Sequence, residues 1–268
     1  MRLGLSSFIY RYAISGLAGS RLAKPCTPVD LLARAGALGL EAVQFCENLP
    51  LAGLTPAEWE ELLDASRRLG VAIEVGTRGL NLTRLLAHVE LAATAGSRAV
   101  RLVVDSTDLD VIAEALRPVL KRCRERAVAL AIENHFDLRS AALAELLRRL
   151  DDPWLGVCLD TANSTGHLEE PMETLAALGS YVTQVHLKDY AVEKAVIAYR
   201  ITGRRLGEGW LDPTAILQAV MARGNTPDVF LEQWMEPDGS LEATLAKEQE
   251  WVEAGVRAAR GYLAATPH

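Results

Sequence analysis

Four side chains able to hold a divalent cation stand at the ends of four successive apolar runs. They are Glu133 in Leu130-Ala131-Ile132-Glu133-Asn134-His135, Asp160 in Val157-Cys158-Leu159-Asp160-Thr161-Ala162-Asn163, His186 in Gln184-Val185-His186-Leu187-Lys188-Asp189, and Glu232 in Phe230-Leu231-Glu232-Gln233-Trp234. A carboxylate that closes an apolar strand is costly to bury unless an ion pair or a metal compensates it. A structural ion pair would account for one such residue. Four at equivalent ends of consecutive strands point to one shared mouth, because barrel active sites draw their residues from several strand ends. Three carboxylates and one imidazole make a hard, oxygen-rich donor set. Such a set favours Mn²⁺, Mg²⁺ or Co²⁺ over the thiolate-rich sites of structural zinc, although Zn²⁺ stays compatible with it. One divalent metal ion is expected, with Mn²⁺ as first choice.

The elements that position these residues follow from the periodicity. Short apolar runs alternate eight times with helix-period segments. The strand candidates are Leu3–Phe8, Ala42–Phe45, Ala72–Thr77, Ala99–Asp105, Ala129–Asn134, Leu155–Asp160, Val182–Lys188 and Val229–Gln233. Helical patterns fill the gaps, among them Glu58–Leu69, Leu82–Ala95, Val111–Arg126 and Ala141–Leu150. Thr55-Pro56-Ala57-Glu58 reads as a capping box with proline at the first helical position. Gly39 and Gly70 stand where left-handed helix caps are expected. Such alternation implies parallel pairing through crossover helices. Eight units argue for a closed (β/α)₈ TIM barrel, one domain over residues 1–268, rather than a doubly wound sheet with a stray unit. The longest irregular stretches, Ile9–Thr27 and Asp189–Asp212, fall at the catalytic face of such a barrel.

Strand parity places Gln184, His186 and Lys188 on one face, and Gly156, Cys158 and Asp160 on another. Leu155, Val157 and Leu159 then face the helices, and the small inward residues leave room beside a metal.

Composition bounds the partners. The chain has 268 residues, half of them hydrophobic, and a formal net charge of −7. Nucleic-acid binding needs a basic footprint to displace counterions, so it is not expected. No apolar run reaches the roughly 20 residues of a membrane helix. Cys26, Cys46, Cys123 and Cys158 are scattered without a C-x-x-C spacing, which suits free thiols in a reducing compartment. The N-terminus lacks a signal-peptide pattern. A cytoplasmic protein acting on a small molecule is the expectation.

The order Glu, Asp, His, Glu on strands 5 to 8, carried by Ile-Glu-Asn-His, Leu-Asp-Thr-Ala-Asn and Val-His-Leu-Lys-Asp, resembles the xylose isomerase-like barrels. That superfamily includes sugar phosphate isomerases/epimerases, ketose 3-epimerases, hydroxypyruvate isomerase, inosose dehydratase and endonuclease IV. Gly207-Glu208-Gly209-Trp210-Leu211-Asp212 is similar to its Gly-x-Gly turn after strand 7, and is equally a plain tight turn. The resemblance covers essentially the whole chain. It implies that Glu133 and Glu232 are both ligands and acid/base catalysts, that Asp160 and His186 hold the metal, and that the metal stabilises an enediolate between proton transfers. It also makes a homo-oligomer an expectation. Two departures limit it. Asn163 stands where ketose 3-epimerases carry His, and Lys188-Asp189-Tyr190 where they carry Arg, so a plain ketohexose is not the expected substrate. Endonuclease IV needs more histidine ligands than His88, His135, His167 and His268 supply.

Arg78, His135, Asn163 and Lys188 are the candidate substrate contacts. Arg78 ends strand 3 and suits a carboxylate, a phosphate or a salt bridge across the mouth. Lys188 points inward by parity and suits an anion, and His135 suits a hydroxyl. Glu47 and Asn48 are candidate lining, and Phe8, Trp210 and Trp234 candidate walls or core filler. A metal-dependent sugar or keto-sugar isomerase/epimerase leads. A lyase through the same intermediate, a decarboxylase of a 3-oxo sugar acid or a dehydratase, is the alternative, and a non-catalytic sugar-binding protein the third.

Overall fold

Eight parallel strands close into a barrel, as the alternation requires. In the computed structural model, which describes residues 1–18 and 22–266, these are β1 (Leu3–Ser6), β2 (Ala42–Phe45), β3 (Ala72–Arg78), β4 (Ala99–Val103), β5 (Ala129–Glu133), β6 (Leu155–Asp160), β7 (Val182–Leu187) and β10 (Asp228–Leu231). The cyclic order is β1-β10-β7-β6-β5-β4-β3-β2. The predicted strands are all present, several of them shorter. Strand β1 stops at Ser6 because Ser7–Tyr10 coils into a 3₁₀ turn, with the Ser6 hydroxyl accepting from Phe8 N. His268 lies outside the described residues.

Local signals in the sequence translate directly. The helix Pro56–Leu69 begins with the reciprocal Thr55/Glu58 box, and Gly70 closes it in the left-handed region at φ 66°. Gly39 takes φ 64°. The helices present Leu, Ile, Val and Ala to the outer face of the barrel, where Leu31, Leu62, Leu85, Leu116, Leu143 and Leu217 are fully buried. Each such side chain contributes about 1.5–3 kcal/mol relative to exposure. No helix among the described residues is long and apolar enough to cross a membrane, and all four cysteines are buried and unpaired.

Two expectations are corrected, the first because the Ile9–Thr27 stretch holds a short helix, Arg11–Ser15. The Asp189–Asp212 stretch is not irregular throughout: it holds an antiparallel hairpin of β8 (Asp189–Lys194) and β9 (Tyr199–Arg204). Its strands carry Glu193, Lys194, Arg200 and Arg204 and lie half in water, so no apolar run marks them.

The barrel interior is polar rather than oily. At its floor Arg2, Glu74, Asp228 and Arg98 interlock. Arg2 Nη2 pairs with Glu74, Arg2 Nε donates to Asp228 Oδ2 at 3.1 Å, and Ser97 Oγ donates to Glu74 Oε2 at 2.7 Å. Above it Gln44 Nε2 donates to Gln184 Oε1 at 3.1 Å, beside the small side chains Ala99, Ala131 and Cys158. Gly4 makes the packing possible, since a Cβ there would meet Ala42 O at 2.4 Å and Phe230 at 3.0 Å.

Removing one partner of a buried ionic network strands the other. Glu74→Gln is therefore expected to lower stability by about 3 kcal/mol, read as a fall in the urea midpoint. A midpoint within error of the parent would show that the floor network is not a stability element.

Candidate metal and substrate site

The four strand-end residues meet at the C-terminal mouth. Register explains how. Asp160 on β6 stands opposite His186 on β7, and His186 stands opposite Phe230 on β10. Glu133 is the last residue of β5, and Glu232 follows β10 with its N–H on Leu187 O at 3.1 Å. All four are buried. His186 Nδ1 lies 3.2 Å from Glu133 Oε2, 3.2 Å from Glu232 Oε1 and 3.9 Å from Asp160 Oδ2.

Two of these atoms, His186 Nδ1 and Glu232 Oε1, are buried with no hydrogen-bond partner, and Asp160 Oδ2 meets only the Lys188 ammonium. Buried polar groups are normally satisfied, so orphaned donor atoms converging on one point call for a ligand. The ring orientation agrees. Gln44 Oε1 only accepts, and it lies 2.6 Å from His186 Nε2. The proton is thereby assigned to Nε2, and Nδ1 turns a lone pair toward the carboxylates, as metal-binding histidines do. Asp160 Oδ1 accepts from Ala162 N at 2.9 Å and Asn163 N at 2.8 Å, which aims Oδ2 inward. The donor set fits one divalent cation.

Two predicted substrate contacts join this centre. Asn163 Nδ2 donates to Glu133 Oε1 at 2.8 Å. Lys188 Nζ lies 2.7 Å from Asp160 Oδ2 and 3.0 Å from Glu232 Oε2, over the Trp234 ring at 4.8 Å. The other two stay at the rim, where Arg78 Nη2 and His135 Nδ1 each approach Asp137 Oδ2 at 3.6 Å. Trp234 stacks on Phe136 at 6.1 Å to form one wall. Trp210 instead faces outward and is 66% exposed. The Gly-x-Gly turn proves to be a cradle for a carboxylate: Asp189 accepts from Gly207 N, Gly209 N and Leu211 N at 2.9, 2.9 and 3.1 Å.

Sequence reasoning missed Arg101. Its buried guanidinium pairs Nε with Glu133 Oε2 and Nη1 with Glu47 Oε2 at 2.8 Å. Burial alone raises the Glu133 carboxyl, but Arg101, then His186 and Lys188, hold it well below the usual carboxylate range. Asp160 moves the other way, because burial outweighs Lys188. Burial lowers Lys188 while Asp160 and Glu232 raise it further, leaving it above its ordinary value. A charged residue inside the apolar run Ala99-Val100-Arg101-Leu102-Val103 was the available signal, as was Gln44 inside Ala42–Phe45.

A cation bound here stabilises the folded chain by mass action. At about 100 times its Kd, Mn²⁺ adds about 2.7 kcal/mol, which raises Tm by roughly 5–10 °C in a chain of this size. The shift is expected to vanish in Asp160→Asn and His186→Ala; a shift surviving in both would place the ion elsewhere.

Comparison with known proteins agrees with the barrel fold. The chain is 29% identical over 226 residues to 3-oxo-isoapionate decarboxylase of Pectobacterium atrosepticum, covering 82% of this chain and 81% of that protein. It superposes on D-psicose 3-epimerase of Clostridium cellulolyticum H10 with TM-score 0.76 at 13% identity, over all of both chains. A xylose isomerase-like TIM barrel protein of Mycobacterium smegmatis in complex with magnesium gives 0.72 at 16% identity, covering 96% of this chain and 97% of that one. The family model for the xylose isomerase-like TIM barrel matches residues 29–255. This chain belongs to the xylose isomerase-like TIM barrel family.

Proposed function

We propose that the protein is a divalent-metal-dependent lyase that removes carbon dioxide from a 3-oxo sugar acid, acting through an enolate of the substrate. The clamp on Glu133 carries this reading. An epimerase needs two groups that alternately take and return a proton on opposite sides of the substrate. Glu133 has one oxygen on the Arg101 guanidinium and the other on the Asn163 amide. A carboxylate so held serves as a permanent anionic ligand and a poor proton carrier. The resemblance to a 3-oxo-isoapionate decarboxylase over four-fifths of both chains supports the same choice.

Decarboxylation needs one proton donor. The bond from the α-carbon to the carboxylate breaks, its electron pair passes to the adjacent ketone, carbon dioxide leaves, and a proton returns to the α-carbon. A bound divalent cation would supply Lewis-acid polarisation of the keto oxygen. Lys188, an ammonium held by Asp160 Oδ2 and Glu232 Oε2, is the proton donor, and Glu232 keeps Oε1 for the cation. Phe136 and Trp234 stack into an aromatic wall beside Lys188. Arg78 and His135, around Asp137, receive the distal hydroxyls or a second anion.

Metal-loaded protein incubated with a panel of 3-oxo sugar acids and ketoses in D₂O separates the readings by NMR and headspace analysis. Stoichiometric carbon dioxide with one deuterium at the former α-carbon is expected, and Lys188→Met should lower kcat by about 10²–10⁴. Deuterium exchange without carbon dioxide across the panel would instead establish the isomerase/epimerase. Binding without turnover of any substrate would leave a carbohydrate-binding protein.

A further inference from the structure

Ten large hydrophobic side chains are exposed among the described residues, and six of them cluster around the β8–β9 hairpin: Leu168, Met172, Val196, Ile197, Tyr199 and Trp210. At the hairpin turn Val196 and Ile197 are 96% and 97% exposed. Beside the hairpin runs a groove of about 580 Å³, walled by Pro171, Tyr190, Val192 and Ile201, with Leu168, Met172, Tyr199 and Trp210 at its lip. A two-stranded ribbon is marginal alone in water, and its open edges invite pairing. An apolar knob and an apolar hole thus lie side by side on one face of the same chain.

We propose that the hairpin tip of one copy seats in the groove of a second copy, and the reverse, to form a two-fold dimer. A two-fold contact uses the same patch on both partners and so requires that the patch be complementary to itself. Knob and hole next to each other meet that condition, and the exchange closes after two copies. Charge agrees with the same pairing. Lys194 is exposed beside the tip and has no ion-pair partner among the described residues, and the same is true of Glu170 on the groove rim. Stable interfaces take about 800 Å² from each partner, arranged as an apolar centre with a polar rim. The six clustered side chains form the centre, with Glu169, Glu170, Glu193 and Lys194 around them. A flat apolar ligand would cover the groove and leave Val196 and Ile197 in water. A second copy covers both.

Sedimentation velocity from about 1 to about 100 µM, the range of ordinary self-association constants, tests this on the full chain. A dimer is expected. Val196→Glu combined with Ile197→Glu should sediment as a monomer with an unchanged far-UV circular dichroism spectrum, because both positions are in solvent. Lys194→Glu should weaken the dimer at least tenfold, and adding Glu170→Lys should restore it. Separately purified Ile197→Cys and Met172→Cys, carrying tags of different size, should form a mixed disulfide dimer when oxidised together. A wild-type monomer at the highest concentration, a dimer that survives the double glutamate variant, or the absence of the mixed species would each overturn the proposal.

Discussion

Three carboxylates are brought within a few ångströms of one another at the mouth of this barrel, where water does not reach. Two unit charges 4 Å apart interact by about 4 kcal/mol at the effective dielectric of a protein site, so the cluster is strongly unfavourable unless cations answer it. The arrangement of the mouth follows from that requirement. Arg101 rises from β4 to neutralise Glu133, and takes Glu47 as a second partner for its own buried charge. Lys188 enters between Asp160 and Glu232. The hydrogen bonds of Gln44, Ala162 and Asn163 then fix the remaining donor atoms in direction. What these groups leave unsatisfied is a compact set of oxygen and nitrogen lone pairs, which is the chemistry a divalent cation answers.

The same logic runs down the barrel axis. The floor is a closed ionic network around Glu74 and Asp228, the middle a glutamine pair, and the top the candidate metal-ligating cluster. Apolar burial is displaced outward, between strands and helices, where the leucines lie. This division separates stability from function: the outer layer holds the strands, and the inner polar layers hold side-chain directions. The hairpin is tied to the mouth as well. At Gly203 a Cβ would lie 1.9 Å from Trp234 O, so only glycine lets the root of the hairpin touch the wall beside Lys188.

Much of this was legible beforehand. The quartet stood out because a charge closing an apolar strand has no cheap structural explanation, and four in succession share one mouth. The eight β/α units, the Thr55 capping box and the turns at Gly39 and Gly70 are local, carried by residues a few positions apart. Arg101 was visible as an oddity in an apolar run but not interpretable, since its partners lie 32 and 54 residues away and meet it only when the barrel curves shut. The hairpin escaped because half-exposed strands have no apolar periodicity. Trp210, a candidate wall or core filler, is neither: it stands in solvent between Gly209 and Leu211, whose N–H groups are tied to Asp189.

The sequence by itself therefore determined the barrel, the four convergent candidate ligands and the hard character of the donor set, because periodicity and residue chemistry are local properties. The tertiary structure alone decided which of those ligands is free. Glu133 is held by Arg101 and Asn163 while Glu232 keeps an open oxygen, and that asymmetry arises from side chains on β4 and β6 that reach Glu133 only through the closure of the barrel.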